Sequence, residues 1–423
     1  MNVELLGNTN DEVSVKITFS KKGSMLEIEA HLQEALNAGG CLAMQEIISE
    51  FDADGSPIVF GGTKFTAKAK YPKTYHTPHG QINVERYLYQ SSKGGRSFCP
   101  LEAKANIQLN ATPRFGRIVA SKYAELGAPQ LCEDLLESNA RKINVSYAQS
   151  LGNFYGSLAR AKEGVWEYDL PELEKEISSV SLSIDGTCMP LKEGGFREAM
   201  CGTISLYDVE GERLHTIYTG NTPEYGKGTF KERFSHEIES VKELFPHARC
   251  IGLADGAKDN WPFLEKYADE QLIDFYHASE YACEAAEAVF YGRTKEKDAW
   301  LEKWLHNLKN IKGGAKRLLD EMKKHAGEKR IKRLQEQLKK SIVYFENNYK
   351  KMQYYKFVKA NEPIGSGVVE AACKTLVKER LCASGMRWKE EGAMAVLKLR
   401  SLKMTKGRWR QFWDNIGRFG ANL

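Results

Sequence analysis

Val180-Ser181-Leu182-Ser183-Ile184-Asp185-Gly186 is a short apolar run that reads as a strand, ends on an acidic residue and is followed by glycine. Cys250-Ile251-Gly252-Leu253-Ala254-Asp255-Gly256 repeats that form 70 positions later. A third element, Gly365-Ser366-Gly367-Val368-Val369-Glu370, places a glutamate at the start of a helix another 115 positions on. An aspartate at a strand end projects into the crevice beyond the sheet edge, and the glycine after it lets the chain turn sharply. Taken singly, Asp-Gly is a common turn signal and a first-turn glutamate complements the helix dipole. Taken together, two aspartates and a glutamate are the oxygen donors that hold divalent cations against a phosphodiester.

Working outward from Asp185, Val180–Ile184 reads as a strand. Met200–Asp208 and Arg213–Tyr218 read as two more, joined across Val209-Glu210-Gly211-Glu212. Lys227–Phe245 is helix-like, Arg249–Ala254 a strand, Asn260–Ala268 a helix and Leu272–Tyr276 a strand. The expected fold class is α/β. Three hairpin-linked strands followed by helix, strand, helix, strand is the order of an RNase H-like core, a mixed sheet flanked by helices. From His277 to Tyr355 almost every signal is helical. Ile331, Leu334, Leu338, Ile342, Phe345, Tyr349 and Met352 step by three or four, an apolar stripe on a basic helix. The division this predicts is an N-terminal α+β region over 1–110, a helical region over 111–165, the first part of the core over 175–280, a helical insertion over 281–360, and the glutamate helix with a basic tail over 361–423. In the first region Met25–Ile48 has helical spacing, broken at Gly39-Gly40, and Thr77-Pro78-His79-Gly80 looks like the turn of a hairpin. In the second, Leu131–Glu137 and Ser146–Leu151 have the spacing of a helix-turn-helix, whose second helix enters a major groove.

Composition narrows the class. Of 423 residues, 42% are hydrophobic and 28% charged, which fits a soluble globular chain of two or three domains. No apolar run approaches the length that spans a bilayer, and the N-terminus lacks the plan of a secretory signal, so a cytoplasmic protein without a membrane partner is expected. The nine cysteines include no CxxC pair and read as reduced thiols. The net charge of +5 hides a split: residues 291–423 carry an excess of 18 basic residues, and residues 1–290 an excess of 13 acidic ones. A basic C-terminal third suggests a track for a polyanion.

Further residues join the candidate site. Asp274-Phe275-Tyr276-His277 forms a D-x-x-H step at the end of the fifth strand, with His277 placed to meet a scissile or flanking phosphate, to position a carboxylate, or to serve as a buried structural histidine. Arg387 and Trp388, in Gly385-Met386-Arg387-Trp388, suit a phosphate and an unstacked base, or a surface arginine beside a packed indole. Lys406, Arg408 and Arg410 interleave with aromatic residues in a tail suited to polyanion contact, or to a docking helix. His76, His79 and Cys99 supply three ligands where a tetrahedral zinc site needs four, so no zinc is expected.

On these residues the sequence resembles bacterial insertion-sequence transposases of the DDE class, and among them the Kra-type family. Ser183-Ile184-Asp185-Gly186-Thr187, Leu253-Ala254-Asp255-Gly256-Ala257, Asp274-Phe275-Tyr276-His277, Gly365–Glu370 and Gly385–Trp388 carry the resemblance, which covers about 175 to 405. The N-terminal part matches loosely. Phe98-Cys99-Pro100-Leu101-Glu102 is similar to the region after a zinc-ribbon-like segment, without the paired cysteines that precede it. The resemblance implies an RNase H-like catalytic domain with a helical insertion, and Asp185, Asp255 and Glu370 as catalytic ligands of Mg2+, with Mn2+ as a substitute. It further implies binding of double-stranded DNA at terminal inverted repeats and target sites, strand cleavage followed by 3′-hydroxyl strand transfer, and a homodimer or larger assembly on DNA. The alternatives are a catalytically silent DNA-binding protein on the same fold, and an RNase H-like nuclease without strand transfer.

Overall fold

The computed structural model describes residues 1–421 apart from Gly61, Ser92, Arg96, Lys258, Lys329 and Arg330. The chain is mixed α/β and divides into two compact units. The first comprises residues 1–166, 394–400 and 409–423; the second comprises 167–393 and 401–408.

In the first unit, β1 (Asn2–Asn8) and β2 (Val13–Thr18) form an antiparallel pair. Strands β3 (Ile58–Phe60), β4 (Thr63–His76) and β5 (Gln81–Ser91) form a three-stranded antiparallel sheet. The turn expected at Thr77–Gly80 joins β4 to β5, closed by the Thr77 amide on the Gly80 carbonyl at 2.8 Å. Between the two sheets runs the Met25–Ser49 helix, started by a capping box in which Ser24 and Glu27 satisfy each other's backbone amides. This helix passes uninterrupted through Gly39 and Gly40, contrary to the expected break. A Cβ at 39 would stand 2.7 Å from Ile17, and one at 40 would stand 2.3 Å from the His79 ring, so these glycines allow close packing. Helices Pro113–Glu125, Ala128–Asn139 and Val145–Lys162 follow. The last of them accepts residues 394–400 at Gly156, where a Cβ would meet the Ala395 backbone at 2.5 Å.

The second unit is built on a five-stranded sheet of β6 (Ser179–Pro190), β7 (Phe196–Tyr207), β8 (Arg213–Asn221), β9 (Arg249–Ala254) and β10 (Glu270–Ile273), in the order β10-β9-β6-β7-β8. β6, β7 and β8 are antiparallel neighbours, whereas β9 runs parallel to both β6 and β10. Two readings are corrected. The helix expected at Asn260–Ala268 is a single turn, Trp261–Leu264. The fifth strand stops at Ile273, because the Asp274 carboxylate caps the next helix, Phe275–Val289.

Phe230, Phe234, Ile238 and Val241 make one buried face of the Gly228–Leu244 helix, and Phe234 packs where Gly202 leaves β7 bare. The helical stretch after β10 continues through Thr294–Asn310, Gly314–Lys324, Lys332–Asn348 and Tyr354–Lys359. Of its expected stripe, Leu334, Leu338, Ile342, Phe345 and Met352 are buried, while Ile331, at the helix start, is exposed. No helix among the described residues is long and apolar enough to cross a membrane.

Candidate active site

Asp185 lies inside β6, not at its end. The parallel pairing of β6 with β9 stops at Ser183 opposite Leu253, whereas the antiparallel pairing with β7 continues to Pro190. Asp185 therefore sits where one side of the strand is released. Gly186 stays in the strand and makes no turn; a Cβ there would meet the Glu198 carboxylate at 2.4 Å. Asp255 follows the last residue of β9, two positions beyond the register partner of Ser183. Here the glycine does turn the chain: Gly256 has φ +104°, and a Cβ on it would press on Tyr344. The Asp255 carboxylate accepts the Ala257 amide at 2.9 Å, and its carbonyl accepts the Tyr344 hydroxyl at 3.0 Å.

Glu370 reaches this edge because the helical insertion leaves the sheet and returns at one place. The Phe275 amide donates to the Ile364 carbonyl at 3.0 Å, and the Ser366 amide donates to the Asp274 carboxylate. Arg249 at the start of β9 holds both Glu362 and Glu270, which ties the returning chain to the sheet. Gly365 permits the approach, since a Cβ there would stand 2.9 Å from the Tyr276 ring. Glu370 then falls in the first turn of the Gly367–Ala372 helix, its Oε1 accepting the Ser366 hydroxyl at 3.0 Å. The helix widens into a π-helical segment, Cys373–Lys378, a form concentrated at functional sites.

His277 is the hub. Its Nδ1 lies 3.5 Å from Asp274 and 3.6 Å from Glu370. The Asp274 bond, with the charges of Glu370 and Asp255, raises its pKa from 6.5 to about 9 against the opposing effect of burial, so the ring is a cation at neutral pH. Asp185 is shifted the other way from a paired carboxylate. Burial raises its pKa and the charge of Asp255 adds to that, while the Gly186 amide, the Cys373 thiol and His277 offset part of it. Asp274 is fully buried; burial alone would raise it, but bonds from His277 and Ser366 hold it below the ordinary carboxylate range.

Thus Asp185, Asp255 and Glu370 all meet the field of one imidazolium. Ligand atoms of Asp274, His277 and Glu370 lie within 4.8 Å of one another. Asp274 already accepts two backbone amides, which suits it to orienting His277 and the glutamate helix. The Glu370 side chain, 42% exposed, is open to a ligand. Among the described residues no such close grouping includes Asp185 or Asp255; the raised pKa of Asp185 marks a carboxylate short of positive charge, and carboxylate oxygens are the donor type that suits Mg2+.

Cys373 was not singled out in the sequence. Its thiol donates to Asp185 at 3.4 Å, and contact with Cys201, burial and Asp185 all keep it protonated. Nothing in the local sequence marks it, because Cys201 and Cys373 come together only through the sheet.

The outer residues divide. Trp388 is packed: its indole donates to the Leu381 carbonyl at 2.9 Å, Arg380 covers its ring at 5.0 Å, and its backbone pairs with the chain leaving β6. It is not poised for an unstacked base, whereas Arg387 is exposed. Arg408 forms a fork on Glu237 with both bonds at 2.6 Å, and this takes it from the expected polyanion track. Lys406 and Arg410 are exposed. Phe412 and Trp413 in the Arg408–Phe419 helix are buried and belong to a core, whereas Trp409 is half-buried.

No family model matches the chain. It is similar to two proteins of Caldanaerobacter subterraneus subsp. tengcongensis. UPF0236 protein TTE0402 is 22% identical over 425 residues, covering 96% of this chain and 79% of the relative. UPF0236 protein TTE2489 is 22% identical over 428 residues, covering 96% of this chain and 84% of the relative.

Proposed function

We propose that the chain is a DDE-type transposase, with an RNase H-like core whose Asp185, Asp255 and Glu370 bind Mg2+, or Mn2+ in its place. The observation that carries this reading is that Asp185, Asp255 and Glu370 all act electrostatically on His277, Glu370 from 3.6 Å, at the edge of the β10-β9-β6-β7-β8 sheet. The strand order, three antiparallel strands with two parallel strands added beside the first, is the order expected of such a core. When bound, the divalent ions activate the attacking oxygen and stabilise the leaving oxygen of an in-line displacement.

The side chains have separate tasks. Asp185, in β6, and Asp255, just past the end of the neighbouring β9, would hold the cations together with Glu370 from its helix. Asp274 and Ser366 keep the glutamate helix docked on the sheet. His277 supplies a protonated ring beside Glu370, suited to a phosphate oxygen. Tyr344 fixes the turn that carries Asp255. Because water and a 3′-hydroxyl are equivalent in-line nucleophiles, one site serves both cleavage at the element's terminal repeats and strand transfer into target DNA. Joining two ends requires at least a dimer on double-stranded DNA. Exposed Arg387, Lys406 and Arg410 are assigned to phosphate contacts.

The test is Mg2+-dependent cleavage and joining of duplexes taken from the DNA on either side of the coding region, where the reading expects inverted repeats. Wild type is compared with Asp185→Asn, Asp255→Asn and Glu370→Gln. Cleavage and joining by wild type, and neither by the variants, is expected. Equal cleavage by all four proteins overturns the assignment. Cleavage without joining replaces transposase with nuclease, and end-specific binding by a wild type that neither cleaves nor joins replaces it with a silent DNA-binding protein.

A further inference from the structure

A cavity of about 630 Å³ opens in the N-terminal unit, with His76, Arg141, Lys142, Asn144 and Tyr147 in its lining. Arg141 is the unusual member. It is only 5% exposed, its Nε donates to the Thr77 carbonyl at 3.2 Å, and its guanidinium lies 5.2 Å from the Phe115 ring centre. Its Nη2 is buried with no hydrogen-bond partner, and so is Nδ1 of His76. No carboxylate among the described residues forms an ion pair with Arg141. The ionisable groups that act on it are Cys41 and Tyr147, both pushed above their ordinary pKa values by burial and therefore neutral at pH 7. Burial lowers the arginine's own pKa, as expected of a cation enclosed without a counter-charge.

A second feature of the same cavity favours an anion. Asn144 is the residue before the Val145–Lys162 helix, its side chain makes no capping bond, and the first turn holds no acidic residue. The first amides of this 18-residue helix are left without a side-chain acceptor, at the positive end of its dipole. Lys142 adds another cation to the rim.

We propose that this cavity binds a phosphate group, carried by Arg141 and the uncapped start of the Val145–Lys162 helix. A guanidinium fork, helix amides and a lysine offer more donors than the two oxygens of a carboxylate can use, whereas a phosphate presents three or four acceptors. The site goes beyond the catalytic reading and stands on different residues. The phosphate has two sources, the DNA backbone or a small phosphorylated molecule, and the experiment separates them.

The full chain is titrated with inorganic phosphate, against chloride and acetate at matched ionic strength and pH. Binding is read by calorimetry and by hydrogen exchange at the amides of 145–147. Phosphate-specific binding with slowed exchange at those amides is expected in wild type, with affinity at least about tenfold weaker in Arg141→Gln, the loss of a charge-assisted bond. The exchange measurement on wild type carries the test if the variant does not fold. A duplex without terminal phosphates that displaces inorganic phosphate assigns the site to DNA; failure to displace assigns it to a small molecule. No phosphate-dependent protection, equal affinity in Arg141→Gln, or equal binding of acetate overturns the proposal.

Discussion

Asp185 lies where burial disfavours its anion. Its raised pKa means that its ionised form is less stable folded than unfolded, so any stability it contributes belongs to acidic pH and is lost as pH rises through its folded pKa. At neutral pH, without divalent metal, Asp185→Asn is therefore expected to melt at or above the wild-type temperature. Added Mg2+ should raise the wild-type melting temperature and leave the variant's nearly unchanged. Thermal unfolding with and without the ion checks both halves. His215 offers a case outside the site. Burial, with Arg408 and Lys406 nearby, lowers its pKa from 6.5 to about 4. The unfolded chain binds the proton first, so the stability contribution is whole above about pH 6.5 and is lost as pH falls toward 4. The loss is on the order of 3 kcal/mol for a residue this buried. Denaturant midpoints from pH 4 to 7 should fall less steeply in His215→Gln than in wild type.

At the scale of elements, the C-terminal tail separates structure from contact. Arg408 and Glu237 are both largely buried and joined by two short bonds, so Arg408→Ala leaves a carboxylate without its partner. A loss of about 2–3 kcal/mol in urea unfolding is expected. Lys406→Ala and Arg410→Ala, at exposed positions, should each change stability by less than about 0.5 kcal/mol. The tail's alternation of basic and aromatic residues suggested a single surface. Helical geometry instead sends Phe412 and Trp413 inward and leaves Arg410 outside.

For the whole molecule, the units are not consecutive stretches of chain. Residues 401–408 belong with the second unit, where buried Thr405 accepts the Tyr218 amide of β8 at 3.0 Å and Arg408 holds the Gly228–Leu244 helix. A chain ending at 393 keeps every candidate catalytic residue yet loses these anchors. Its melting transition is expected to fall by several degrees or to broaden, whereas a chain cut only after residue 408 should keep the anchors. Scanning calorimetry of the two truncations distinguishes the cases.

Local pattern determined a good deal. Apolar runs and turn residues set the strands from 179 to 273, helical spacing set the long helices after them, and the three acidic positions stood out because each closes a run of defined character. These features depend on neighbours a few residues apart, and a linear text records them. Tertiary structure alone decided that Asp185 lies within a strand, that Gly256 turns and Gly186 does not, that His277 lies beside Glu370, and that Cys373 donates to Asp185. It also decided that Arg408 is tied to Glu237, and that Arg141 lies beside an uncapped helix. Each of these depends on which distant groups pack together, and on whether a charge meets its opposite there. Those are free energies of contact and solvation, which arise only once the chain has closed on itself.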